Sequence, residues 1–179
     1  MSILLRLCVW RAGAGRGLLL LVLLLGVAAC TSAPPRKPSP TLGERQREGL
    51  RALGFQQSEE DWHLILPKPI CFEFASADIR ADAARSATDT AQELLRLGIH
   101  GVRLDGHSDN VGPPAVNLDL SRRRAEAVGR LFIAAGFADA AVVRHGHGAS
   151  LPVADNDSAS GRARNRRVEL IVPADALAP

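Results

Sequence analysis

From residue 70 onward the chain alternates short apolar runs with longer stretches that carry an apolar stripe at helical spacing, and this alternation restricts the fold more than any other feature. Strands are predicted over Ile70–Phe74, Val102–His107, Ala141–His145 and Arg167–Val172. A helix is predicted over Asp82–Leu97, with Ala83, Ala84, Ala87, Ala91, Leu94, Leu95 and Leu97 as its stripe and Gly98 as its C-cap. A second helix is predicted over Leu118–Ala135, ended by Gly136, and Gly146–Ser160 reads as a polar loop. Strands separated by helices imply parallel pairings through crossovers, so the expected fold class is an α/β sandwich with one helical layer. Ahead of this unit, Thr41–Phe55 suits a short amphipathic helix and Trp62–Leu66 a strand stopped by Pro67 and Pro69.

The second helix carries an anomaly. With Leu120 set to zero and about 100° per residue, Leu131, Ala135, Val128 and Ala127 all fall within about 80° of it. Arg124 falls at about 40°, inside that apolar face, whereas Arg122 and Arg123 fall at about 200° and about 300°. Asn117 lies on the same side as Arg124, about two turns earlier. A guanidinium on a core-facing stripe must meet a carboxylate, a row of carbonyls or a ligand anion, because burying it unpaired is costly. Just upstream, Gly106 and Gly112 bracket a loop, His107 to Val111, that follows a strand and opens into the helix. Ligands of α/β folds sit at such strand ends, and helix-start amides favour an anionic group. Asp109 in that loop and Arg124 on the helix could hold a ligand bearing both an ammonium and a carboxylate. They could equally form an internal salt bridge.

The start of the chain reads as a targeting segment. Arg6, Arg11 and Arg16 precede an apolar run, Leu18–Val27, and Val27-Ala28-Ala29-Cys30 resembles a bacterial lipobox. Residues 1–29 are therefore expected to be a lipoprotein signal peptide and Cys30 the lipidated residue. Thr31 rather than Asp follows, so inner-membrane retention is not signalled by the usual lipoprotein rule. The chain has 22 basic and 19 acidic residues, and the signal holds three of the basic ones, so residues 30–179 carry 19 of each and no net charge. The overall excess of positive charge is thus no argument for nucleic acid, and two Trp, five Phe and no Tyr offer little for stacking bases. Of the three cysteines, Cys8 leaves with the signal and Cys30 is modified, so Cys71 is expected to be a small buried hydrophobe without a disulfide partner. Ser32–Pro40, with four prolines, reads as an extended tether. Residues 30–69 form the anchor, tether and pre-domain segment, 70–173 the domain, and 174–179 a tail.

Gly106-His107-Ser108-Asp109, Gly112, Asn117, Leu120-Ser121, Arg124-Ala125, Gly161-Arg162 and Asn165-Arg166-Arg167-Val168 occur together and in order. This set resembles the OmpA C-terminal-like domain, a peptidoglycan-binding family, across roughly Ile70 to Val172. The resemblance implies a mixed sheet with helices on one face. It implies non-covalent binding of peptidoglycan through the diaminopimelate of the stem peptide, without catalysis. The family's clamping Asp and Arg fall on Asp109 and Arg124. Asn117, Ser108 and Arg166 fall on further pocket positions, Ser108 standing where the family carries Thr. The resulting expectation is an outer-membrane lipoprotein whose periplasmic domain holds the cell wall. The segment Gly54-Phe55, Asp61-Trp62, Leu64, Leu66 and Ile70-Cys71-Phe72 resembles YfiB-like lipoproteins. That likeness implies an alternative role, a signalling adaptor that sequesters a periplasmic protein partner.

Arg162, Arg164, Arg166 and Arg167 leave three readings beside each other: a pocket contribution from Arg166 as the resemblance implies, a solvated basic turn paired with Asp155 and Asp157, and, as the weaker third, contact with a phosphate-rich polymer. His107, His145 and His147 lack an accompanying set of carboxylates or thiolates in the linear sequence, so structural histidines and no metal or cofactor are expected. No Ser or Cys stands in a nucleophile elbow, which argues against an enzyme.

Overall fold

The computed structural model describes residues 39–59, 61–66 and 76–179. The expected signal peptide, Cys30, Cys71 and the strand expected over Ile70–Phe74 lie outside these residues. Thr41 opens α1 (Leu42–Ala52) through a capping box: its hydroxyl accepts from Glu44 N and the Glu44 carboxylate accepts from Thr41 N. A hairpin of β1 (Gln56–Ser58) and β2 (Asp61–Ile65) follows. The predicted strand at Trp62 is β2, shifted by one residue; β1, three exposed polar residues, has no apolar signature and was not expected.

The helix α2 (Ala81–Arg96) ends as its glycine predicts. Gly98 takes φ +73°, Gly98 N donates to Leu95 O and Ile99 N to Leu94 O, which satisfies two terminal carbonyls. Then come β3 (Val102–Gly106), α3 (Pro114–Ala135), β4 (Val142–Gly146), the short α4 (Ala159–Asn165) and β5 (Val168–Val172). The strands form one sheet in the order β1-β2-β5-β3-β4. Among the described residues only β3 and β4 are parallel, joined by the α3 crossover; β5 enters between β2 and β3 and runs antiparallel to both. The architecture is therefore a mixed sheet, and among the described residues the expectation of parallel pairing holds for one pair. The connection from β4 to β5, residues 147–167, contains only the seven-residue α4, and it returns β5 antiparallel to β3.

Strand alternation sorts the sheet's two faces. Trp62, Leu64, Val102, Leu104, Val142, Val168, Leu170 and Val172 are buried in one core with Ala87, Ala91 and Leu94 of α2 and Ala125, Val128 and Phe132 of α3. The intervening residues His63, Arg103, Asp105, His145 and Glu169 lie on the opposite face. Among the described residues no helix is long and apolar enough to cross a membrane.

Candidate functional site

The orientation of α3 decides the site. Arg124 is fully buried, whereas the side chains of Arg122 and Arg123 are 67% and 54% exposed and pair with Asp119. The helix starts at Pro114, four residues ahead of the predicted start. Pro113-Pro114 is the helix entry, and a proline at the first helical position gives up an N–H that would have no partner there. Asn117 consequently lies in the first turn, where its Nδ2 donates to Val111 O at 3.2 Å and ties the loop to the helix.

The loop begins as an extension of β3. His107 N donates to Arg167 O and Ser108 N to Gly148 O. Gly112 takes φ +93°, a conformation glycine tolerates and side chains do not. The Ser108 hydroxyl donates to Asp109 O, so it is not set up as a nucleophile against a base. Asp109 is 6% exposed: one carboxylate oxygen accepts from Val111 N at 3.2 Å, the other from Arg166 Nη1 at 2.8 Å. Arg124 reaches across the same space, with Nε donating to Ser76 O (3.2 Å) and Nη1 to His107 O (3.3 Å). Main-chain carbonyls therefore take part of the charge whose inward aim the helical wheel exposes. Burial first, and then the positive charge of Arg166, lower the Arg124 pKa to about 10, with Asp109 opposing both.

Ser108, Asp109, Asn117, Arg124 and Arg166 all line one cavity of about 200 Å³, rimmed by Val111 and Val116. The structure thus brings all five residues singled out in the sequence to one place. A carboxylate and two guanidiniums facing a small, partly open space can engage a group that carries both signs of charge.

Two features were not legible as part of the site. Arg166 ends α4, a helix not predicted, whose N-cap Ser158 accepts from Gly161 N. Asn165 beside it is fully buried: its Oδ1 accepts from Val153 N and Ala154 N, and its Nδ2 donates to Ala154 O and Asn156 Oδ1. Asn165 thereby fixes the loop that presents Arg166. The only signal for it was its place in the Asn165-Arg166-Arg167 run. Of the basic residues there, Arg162 donates to the carbonyls of Asn156 and Asp157, so only Arg166 turns into the cavity. His107 is buried behind the loop; burial, then Arg167 and His147, hold its pKa down at about 3 and keep it neutral.

Residues 71–166 match the model of the OmpA family. The chain is 39% identical over 158 residues to the outer-membrane lipoprotein YfiB of Pseudomonas aeruginosa, covering 88% of this chain and 92% of that one. It is 36% identical over 99 residues to the peptidoglycan-associated lipoprotein of the same organism, covering 55% of this chain and 58% of that protein. Among solved structures it resembles a putative MotB-like protein from Desulfovibrio vulgaris, with a TM-score of 0.62 and 26% identity, over 73% of this chain and 94% of that one. The peptidoglycan-associated lipoprotein of Burkholderia pseudomallei gives a TM-score of 0.53 at 28% identity, over 61% and 87%. With a family match across the loop, α3 and Arg166, and a YfiB relative aligned over nearly its whole length, the chain belongs to the OmpA family and carries a YfiB-like, OmpA-like domain.

Proposed function

We propose that this chain binds peptidoglycan non-covalently, without catalysis, by seating the ammonium and carboxylate of a stem-peptide diaminopimelate between Asp109 and the guanidiniums of Arg124 and Arg166. The observation that carries this reading is the charge set of the cavity, one carboxylate opposed by two guanidiniums. A ligand carboxylate would replace Asp109 as the partner of Arg166, and the ligand ammonium would take the Asp109 oxygen so released. That exchange keeps every buried charge paired, which is the condition for an ionic ligand to bind in a desolvated site. Relatives named as peptidoglycan-associated lipoproteins support the same reading.

Co-sedimentation with purified sacculi tests it. Asp109→Asn is expected to weaken binding at least about tenfold, which is about 1.4 kcal/mol. The same change is expected to cost apo stability about 1–2 kcal/mol, because Arg166 loses a partner but stays partly in water. Unchanged co-sedimentation of a folded Asp109→Asn protein would overturn the clamp.

Localisation follows from the anchor. The lipobox-like Val27-Ala28-Ala29-Cys30 and the outer-membrane lipoproteins among its relatives support a lipid-anchored domain in the periplasm. Since lipidation starts from the thiol, Cys30→Ser is expected to abolish incorporation of labelled palmitate and release the protein from the membrane fraction. Label retained by that variant would refute the anchor.

The YfiB relative supports a second reading, an adaptor for a periplasmic protein partner, because its alignment extends well beyond the OmpA-like region. The pre-domain segment cannot be deleted to test this, since β2 is hydrogen-bonded to β5 from Trp62 to Ile65. Charge reversal at the exposed α1 residues Arg45 and Glu48 leaves the sheet intact and is the suitable variant for a cross-linking pull-down from periplasm.

A further inference from the structure

We propose that Asp105, His145 and His147 form a binding site for a divalent first-row transition metal ion, of which Zn²⁺ is the best fit, on the face of the sheet opposite α2 and α3. The linear sequence hides this site because its carboxylate comes from another strand. In the parallel β3–β4 pair, Asp105 stands in register with His145, and His147 N donates to Gly106 O, which continues the ladder. All three side chains therefore come to one end of the two strands.

The geometry is close to that of a metal centre. Asp105 Oδ1 lies 3.5 Å from His145 Nδ1, and Asp105 Oδ2 lies 3.4 Å from His147 Nε2. Metal bonds of about 2.0–2.1 Å in a tetrahedron put neighbouring ligand atoms about 3.3–3.4 Å apart. One donor atom from each residue lies within 4.8 Å of the others, so a small rotation of the half-exposed His145 ring closes the set.

Burial supplies the second argument. Asp105 is only 9% exposed, and both its Oδ1 and His147 Nε2 are sealed from solvent without a hydrogen-bond partner. Two buried polar atoms left unsatisfied in one cluster, Oδ1 toward His145 and His147 Nε2 toward Oδ2, are unfavourable; a cation bound by the three side chains satisfies both. Arg103 Nε, 3.4 Å from Oδ2, orients the carboxylate from the side, and the His107 ring stacks on His147 at 5.1 Å. Two imidazoles and one carboxylate favour Zn²⁺ and its neighbours over Ca²⁺ or Mg²⁺, which take oxygen ligands. The exposed edge at His145 leaves a coordination position open to water.

The test uses the untagged full-length chain in detergent, stripped with chelator and titrated with Zn²⁺ by calorimetry and with Co²⁺ by visible absorption. Saturation at a single equivalent with micromolar or tighter affinity, together with visible Co²⁺ bands, is the expected result. Asp105→Asn and His145→Gln are each expected to weaken binding at least about tenfold, while His100→Gln and Cys71→Ser leave it unchanged. His145 is half exposed, so its variant reports on the site even if Asp105→Asn disturbs the fold. A titration that does not saturate, binding unaffected by His145→Gln, or binding lost on Cys71→Ser would each overturn the site. No peptidoglycan enters the measurement, so its outcome is independent of the sacculus assay.

Discussion

Arg124→Glu is expected to abolish co-sedimentation with sacculi and to strip most of the stability from the domain, while Arg122→Glu, two residues away, changes neither by much. Arg124 is completely buried and donates to the carbonyl oxygens of Ser76 and His107. A carboxylate in its place would face two acceptors and share its cavity with Asp109. Uncompensated buried charge of this kind costs about 3–5 kcal/mol, out of a total near 5–15 kcal/mol for an ordinary domain. Arg122 is two-thirds exposed and pairs only with Asp119 one turn away, a contact worth at most about 1 kcal/mol. Because loss of folding would itself remove binding, Arg124→Lys separates the two. It keeps the positive charge but cannot reproduce the guanidinium fork, so it is expected to stay folded and bind sacculi at least about tenfold more weakly. Full binding by a folded Arg124→Lys protein, or equal losses for Arg122→Glu and Arg124→Glu, would reduce the site to a diffuse basic patch.

What could be read from the chain depended on how local each cause is. The aim of Arg124 followed from the helical repeat alone, because one turn of α3 sets it regardless of the rest of the fold. The glycine stops of α2 and α3 are equally local: Gly98 and Gly136 both take positive φ. The start of α3 lies four residues ahead of the expected Leu118 because Pro113-Pro114 begins the helix: proline suits the first helical position but carries no apolar stripe to mark it. The partner of Asp109 could not be derived from spacing, since Arg166 lies 57 residues away and is presented by a helix too short and polar to show a stripe. The expectation of parallel pairing holds for β3 and β4 and not around β5 for the same reason. The insertion of β5 between β2 and β3 is a long-range choice that periodicity does not encode. Asp105 went unnoticed beside His145 because strand register, not sequence distance, joins them.

A pair of glycines holds α3 where Arg124 can work, and Gly106→Ala is expected to be among the most destabilising single-methyl additions in the domain. Gly106 and Gly146 are register partners on β3 and β4, under the first half of α3. A Cβ on Gly106 would lie 2.0 Å from the carbonyl oxygen of Ser121 and 2.9 Å from its carbon. These are main-chain atoms in mid-helix, so no side-chain rotation can relieve the clash, and the helix must move off the sheet. The expected cost is about 3 kcal/mol or more, at the upper end of overpacking penalties. Two other glycines calibrate the result. At Gly101 a Cβ meets only the Ala176 side chain at an ordinary 3.5 Å, so Gly101→Ala should stay within about 0.5 kcal/mol. At Gly112 there is open space but φ is +93°, so Gly112→Ala should cost about 1–2 kcal/mol through backbone strain alone. Urea denaturation of the three variants gives the order directly, and equal midpoints for Gly106→Ala and Gly101→Ala would show that α3 is not pressed against β3. Displacing α3 at Ser121 also shifts Arg124 one turn later, away from the carbonyls of Ser76 and His107. Sacculus binding should therefore fall in Gly106→Ala even under conditions where that protein remains folded, and persist in Gly101→Ala.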